Sequence, residues 1–125
     1  MKKILIADDE PHVLRVLKLS LERGGYAVDG YGNGKAALEA IQRESPDILI
    51  TDIQMPIMDG EELCHQIRQL IPNRKFLIFV LTSRTEIEHR EWTREIDNLS
   101  FLEKPVSIRN LIAKLDEYFA ASTAK

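Results

Sequence analysis

Four stretches of the sequence carry side chains that could do chemistry together. Two carboxylates, Asp8 and Asp9, follow one apolar run, and a third, Asp52, ends another. Thr82 ends a later apolar run, and Lys104 comes shortly after the last one. Carboxylates bind hard cations, whereas hydroxyl and ammonium groups donate hydrogen bonds to phosphoryl oxygens. These residue types therefore favour chemistry on a phosphoryl group with a divalent ion.

The apolar runs predict five strands of one parallel sheet. They are short and alternate with segments of helical period, which is typical of βαβ units. Several runs are continuously apolar, as expected when helices cover both faces of the sheet. The predicted strands are residues 3–7, 26–28, 47–51, 76–81 and 99–102.

Four helices are predicted from apolar stripes and from residues that start or stop a helix. Pro11 suits the first turn of a helix that Gly24 ends. The next two stop before Pro46 and Pro72. Ser107 is a good N-cap for the last one. A further helix is expected within residues 85–97, but its apolar residues do not form one stripe. We predict that it is either weakly tied to the core or covered by something else, as a mobile or partner-facing element.

The composition fits one globular domain. The chain has 125 residues, 44% apolar and 30% charged, with a net charge of −3. We predict a domain over residues 1–120 and a flexible tail, or the start of a linker, over 121–125. No apolar run is long enough for a membrane span or a signal peptide, and the single cysteine, Cys64, agrees with a reducing compartment, so a cytoplasmic protein is expected. The absence of a basic cluster argues against direct binding of nucleic acid.

Parallel strands end on the same edge of a sheet, and ligands of open α/β folds bind there. Each polar residue by itself could be a helix cap or a solvated charge, but four strand ends on one edge favour a shared site. Three carboxylates within about 4 Å repel by ~4 kcal/mol per pair at an effective dielectric near 20, so a cation is expected. Oxygen ligands favour Mg²⁺ over Zn²⁺, and Mn²⁺ can substitute.

Phosphoryl chemistry at this edge assigns a role to each group. Asp52 is the natural nucleophile for attack on phosphorus. Lys104 and the metal ion neutralise the equatorial oxygens, and Thr82 donates a hydrogen bond to one of them.

The chain resembles the receiver domain of two-component response regulators over about residues 3–119. The matching motifs are ILIADDE, DIQMPIMDG, LTS and FLEKP, in the family's order and spacing. The resemblance implies an α/β fold of the flavodoxin-like, doubly wound (βα)5 type, with a five-stranded parallel sheet of order 2-1-3-4-5. It also implies a phosphoacceptor that catalyses its own phosphoryl transfer and dephosphorylation, which is not a classical enzyme.

Carried over by position, the resemblance makes Asp52 the acceptor of a phosphoryl group from a histidine kinase or a histidine phosphotransfer protein. Asp9 and Asp52 would bind Mg²⁺ with the backbone carbonyl of Gln54, and Asp8 would assist through water. The output partner is not identified by the sequence, and homodimerisation on phosphorylation is an expectation from the family alone.

The resemblance assigns further roles around the phosphoryl group. Thr82 and Lys104 would hold its oxygens, and Thr82 would act with Phe101 as a switch. The peptide bond before Pro105 is expected to be cis. Gln54 and Arg84 would flank the path of the attacking water and tune the lifetime of the phosphate.

The sequence disfavours one other motif and two other functions. The stretch GYGNGKAAL, residues 30–38, fails as a P-loop because Asp29 stands where glycine is needed and Ala36 where Ser or Thr is needed; a tight turn that opens a helix is favoured. A degenerate receiver that acts as a phosphorylation-independent interaction module is opposed by the intact site set. A phosphohydrolase of the haloacid dehalogenase type ranks last, because its nucleophile lies near the first strand.

Overall fold

The sheet has the predicted topology. The computed structural model describes residues 1–83, 91–104 and 106–123. Five parallel strands lie in the order β2-β1-β3-β4-β5, which confirms the expected arrangement. The strands are β1 (Lys3–Ala7), β2 (Ala27–Tyr31), β3 (Ile48–Asp52), β4 (Leu77–Thr82) and β5 (Leu99–Glu103). The helices are α1 (Pro11–Arg23), α2 (Gly34–Arg43), α3 (Gly60–Leu70), α4 (Ile108–Thr123) and a 3₁₀ helix (Glu91–Glu95).

The helix starts follow from side chains that satisfy free backbone N–H groups. Pro11 occupies the first turn of α1, as predicted. Asn33, Asp59 and Ser107 each accept a hydrogen bond from the backbone N–H three residues later, at the starts of α2, α3 and α4. These contacts hold the three loops at the edge where the strands end.

Two apolar layers cover the sheet. On one face α1 and α4 contribute buried leucines that pack on β1, β3 and β4. On the other face α2 and α3 pack on the remaining side chains of the same strands. All residues of β3 and β4 are buried, so the middle of the sheet is inaccessible, whereas the edge strands β2 and β5 are partly exposed. Cys64 lies in the second layer, where burial raises the pKa of its thiol to about 12.

The strand boundaries differ from the sequence prediction by at most one residue in β1, β3, β4 and β5, and by more in β2. β2 extends three residues beyond position 28, to Tyr31, because it pairs along all of β1. Helix α4 continues through residue 123, where Ala120 and Ala121 favour helix. The division into a domain over 1–120 and a tail over 121–125 stays a prediction. Of the helix expected within 85–97, residues 91–95 form a 3₁₀ helix, and residues 84–90 lie outside the described part.

Membrane insertion finds no support in the helices. Across residues 1–83, 91–104 and 106–123, none combines the length and the apolar composition that a bilayer crossing requires.

Candidate functional site at the carboxyl edge of the sheet

The structure brings three carboxylates together at the ends of β1 and β3. Asp52 is the last residue of β3 and is 3% exposed, whereas Asp8 follows β1 and is 1% exposed. Asp9 is exposed beside them. One carboxylate oxygen from each of the three residues lies within 4.8 Å of the others. The sheet topology therefore places the carboxylates as the sequence predicted.

Lys104, which follows the edge strand β5, extends its side chain to this cluster. Its Nζ lies 2.7 Å from Oδ1 of Asp52. Its backbone N–H donates to the carbonyl of Thr82 at 2.8 Å, which continues the pairing of β4 with β5. The backbone N–H of Ile53 also donates to Oδ1 of Asp52, at 2.8 Å. The carboxylate of Asp52 is thus oriented by the ammonium of Lys104 and by the backbone N–H of Ile53.

The electrostatics of the cluster fit a divalent cation. Burial raises the pKa of Asp8, and the negative charge of Asp52 raises it further, against the N–H of Glu10 and the charge of Lys104. At their separation, Asp8 and Asp52 repel by about 3 kcal/mol at an effective dielectric near 20. The ligand atoms in the cluster are all carboxylate oxygens, which suits a hard ion such as Mg²⁺.

Thr82 and Phe101 lie on neighbouring strands. Thr82 is the last residue of β4 and is fully buried, and its hydroxyl donates to the carbonyl of Ser83 at 3.1 Å. Phe101 lies in β5, half-buried against the apolar layer of α2 and α3. In this structure the hydroxyl of Thr82 bonds the backbone, and the ring of Phe101 is partly accessible.

The loop after Asp52 follows a strained path. Ile57 has φ 69°, a left-handed conformation that is rare for a β-branched residue, and its side chain is 77% exposed. Around it the N–H of Met58 donates to the carbonyl of Pro56 at 2.7 Å, which closes a γ-turn. Such a conformation costs about 1–3 kcal/mol and persists only where neighbouring contacts enforce it.

Sequence reasoning missed the close approach of Gly60 to the end of β3. The N–H of Gly60 donates to the carbonyl of Ile53 at 2.6 Å. A Cβ on Gly60 would collide with the carbonyl oxygen of Asp52. The signal in the sequence is the glycine itself, since glycine is the residue that allows such a close approach of two backbones.

Several predicted positions await other evidence. Gln54 is exposed in the loop after β3, and the role of its carbonyl stays a prediction. Pro105 and Arg84 lie outside the described residues, so the expected cis bond and the expected effect of Arg84 on phosphate lifetime also stay predictions.

Comparison with known proteins places the whole chain in one family. The model of the response regulator receiver domain matches residues 4–116. The chain is 35% identical over 114 residues to the alkaline phosphatase synthesis transcriptional regulatory protein PhoP of Bacillus subtilis, covering 91% of this chain and 47% of that protein. It is 33% identical over 122 residues to the response regulator receiver protein CpdR of Brucella abortus, covering 98% of this chain and all of that protein.

The fold agrees with solved structures. A response regulator receiver domain protein (CheY-like) from Methanospirillum hungatei superposes with a TM-score of 0.87 at 27% identity, covering 99% of this chain and 98% of that one. The chain spans about half the length of the Bacillus relative and the full length of the Brucella one. On the family match, the sequence identity and the shared fold, this protein belongs to the response regulator receiver domains of two-component systems.

Proposed function

We propose that this receiver domain accepts a phosphoryl group on Asp52 from a phosphohistidine of a histidine kinase or a histidine phosphotransfer protein. The observation that carries the proposal is the buried carboxylate of Asp52, which has the ammonium of Lys104 at 2.7 Å and two further carboxylates beside it. The ammonium stabilises the buried carboxylate, but the two like charges beside it are unfavourable unless the site has a further role such as binding a cation.

Mg²⁺ is the expected cofactor, and Mn²⁺ can take its place. The ligands would be the carboxylates of Asp9 and Asp52 and the backbone carbonyl of Gln54, with Asp8 acting through water. A bound divalent ion supplies neutralisation of the charge on the transferring phosphoryl group. The excess negative charge of the cluster supports this assignment, since a cation removes the repulsion between the carboxylates.

The transfer forms one bond and breaks one. A carboxylate oxygen of Asp52 attacks phosphorus while the P–N bond to the histidine breaks, and the electron pair of that bond stays on the imidazole nitrogen. Lys104 carries three N–H donors, so it can bond the new acyl phosphate while it stays near Asp52. Hydrolysis reverses the modification when water attacks phosphorus and releases phosphate and the free carboxylate.

Phosphorylation would act on the neighbouring strands through Thr82 and Phe101. The phosphoryl group carries roughly −1.5 to −2 charge, and this replaces the single negative charge of the Asp52 carboxylate beside the end of β4. The hydroxyl of Thr82 would then exchange its bond to Ser83 for one to a phosphoryl oxygen, and the half-buried ring of Phe101 would respond on the neighbouring strand. The face formed by β5 and its neighbours is thus the proposed output surface.

Intact-protein mass spectrometry tests the proposal. The wild-type protein, incubated with acetyl phosphate and Mg²⁺, should gain one phosphoryl adduct, and the adduct should be absent with EDTA. Asp52→Asn should gain none, because the amide is not a nucleophile. Asp59→Asn is the matched control: Asp59 caps α3, Asn serves equally well there, and this variant should be phosphorylated normally.

The opposite result selects the alternative function. If the wild-type protein gains no adduct with Mg²⁺ or Mn²⁺ and a beryllofluoride mimic does not bind, the phosphoacceptor proposal is wrong. The domain would then act as a phosphorylation-independent interaction module.

A further inference from the structure

The turn that opens α2 contacts the loop that follows the acceptor strand. The N–H of Gly34 donates to the carbonyl of Met58 at 2.9 Å. Gly34 is the first residue of α2, where N–H groups have no partner within the helix and the helix dipole is positive. A carbonyl of the loop after β3 satisfies this donor, so α2 and the loop are joined at a defined point.

No side chain fits at position 34 while this contact exists. A Cβ on Gly34 would collide with the carbonyl oxygen of Met58 and would lie 3.0 Å from its Cγ and 3.1 Å from its carbonyl carbon. A Cβ on Gly32, two residues earlier, would meet nothing within 4 Å. Both glycines have ordinary backbone angles, so only the contact with the loop requires glycine, and only at position 34.

The loop needs restraints of this kind because its path is strained. Ile57, next to Met58, holds a positive φ that an isolated loop would relax. Two hydrogen bonds fix the loop on either side of it: Gly60 binds the carbonyl of Ile53, and Gly34 binds the carbonyl of Met58. Gln54 lies between these two fixed carbonyls.

We propose that Gly34 is a positioning residue for the divalent cation, which it serves by holding the loop that carries the Gln54 carbonyl. This inference rests on the proposed function of the site. Asp9 and Asp52 would bind through side chains, and so would Asp8 through water, and a side chain can change rotamer to meet the ion. The remaining ligand is a main-chain carbonyl, and its position depends entirely on the path of the loop. Partners that orient a metal ligand in this way typically contribute tenfold or more to metal affinity.

Titration calorimetry with Mg²⁺ tests this role on the whole chain. Gly34→Ala should raise the Kd for Mg²⁺ by about tenfold, because the added methyl displaces the carbonyl of Met58. Gly32→Ala should leave the Kd unchanged and serves as the matched control. With acetyl phosphate as donor, Gly34→Ala should need more Mg²⁺ for half-maximal labelling yet reach the wild-type rate at saturating Mg²⁺. A purely structural role would lower the folded fraction and leave the Mg²⁺ requirement of the folded molecules unchanged.

Amide hydrogen exchange on the wild-type protein gives a second test that does not depend on folding of the variant. Because coupling between two sites is reciprocal, Mg²⁺ should slow exchange of the Gly34 N–H, and it should not affect that of Gly32. Unchanged exchange at Gly34, or an unchanged Kd in a folded Gly34→Ala variant, overturns the inference while phosphorylation of Asp52 stands. A wild-type protein that binds no Mg²⁺ overturns the inference together with the proposed metal site.

Discussion

The two sides of the candidate site rest on strands of very different burial. Asp52 ends β3, which lies between β1 and β4 and is buried at all five positions. Lys104 follows β5, an edge strand in which only Leu102 is buried. Asp52 is therefore held by the core, whereas the lysine that contacts it follows an edge strand with one hydrogen-bonded neighbour.

This difference in burial suits the two different roles that we propose for Asp52 and Lys104. A nucleophile and its metal ligands must keep a fixed geometry, which a central strand provides through packing on both faces. A group that follows the phosphoryl oxygens must be able to move, and edge strands with few apolar contacts open most readily. The burial of β3 and the exposure of β5 fit the proposed roles of Asp52 as a rigid acceptor and of Lys104 as a group that follows the phosphoryl oxygens.

The largest expected effect comes from truncating a buried side chain in β3. Ile50 is fully buried in β3 and packs in the layer under α1 and α4. Ile50→Ala should lower the free energy of unfolding by about 2–5 kcal/mol, because it removes buried methyl groups and leaves a cavity. Leu99→Ala, in the half-buried start of β5, should cost less than half as much. Urea unfolding followed by circular dichroism measures both, and equal losses would contradict the contrast between the strands.

A smaller effect is expected from the polar contacts that hold the start of β5. The guanidinium of Arg74 donates to the carbonyls of Asp97 and Asn98, the latter at 3.0 Å. Arg74→Met keeps the apolar stem but loses both bonds, and should cost about 1 kcal/mol. Its β5 amides should exchange faster, whereas those of β3 should not change.

The charge-preserving variant is the control for this prediction. Arg74→Lys retains the cation without the planar fork, so it should recover only part of the loss. If the methionine variant is as stable as the wild type and its β5 exchange is unaltered, the arginine does not hold the edge strand.

Most of the fold was predictable because local and global signals agree. Continuous apolar runs indicated strands covered on both faces, and Pro11 and Ser107 marked helix starts that the structure confirms. The prediction was weakest at β2, where only pairing with β1 extends the strand to Tyr31. Tertiary pairing, which no window of local sequence contains, decided that boundary.

The candidate site divides in the same way. The meeting of Asp8, Asp9, Asp52 and Lys104 follows from sheet topology, so strand order and strand ends sufficed to predict it. The link from Gly34 to Met58 was not predicted, since a backbone hydrogen bond joins the start of α2 to a loop residue 24 positions later. Contacts between main-chain atoms leave no residue pattern except the glycine itself.

The last expected effect is a gain in stability when the repulsion between the carboxylates of Asp8 and Asp52 is removed. Because burial and the charge of Asp52 raise the pKa of Asp8 above its ordinary 3.8, the folded protein binds a proton more tightly than the unfolded chain. Stability must therefore fall as pH rises from that ordinary value through the raised one. Asp8→Asn removes the charge and can keep the hydrogen bond from the N–H of Glu10. In EDTA it should be more stable than wild type by about 1 kcal/mol at neutral pH.

The advantage of Asp8→Asn should depend on pH and on the metal ion. It should vanish below the ordinary carboxyl pKa, where the wild-type aspartic acid is neutral in both states. It should shrink or reverse in Mg²⁺, because ligand binding stabilises the wild-type fold and the variant has lost one carboxylate. Urea unfolding at several pH values, with EDTA or Mg²⁺, measures both trends, and Asp9→Asn, at an exposed carboxylate, should show a smaller gain in EDTA. If the variant is less stable than wild type under all these conditions, the contacts of Asp8 stabilise the fold by more than its repulsion with Asp52 destabilises it. The carboxylate cluster would then stabilise the end of β3, contrary to our expectation.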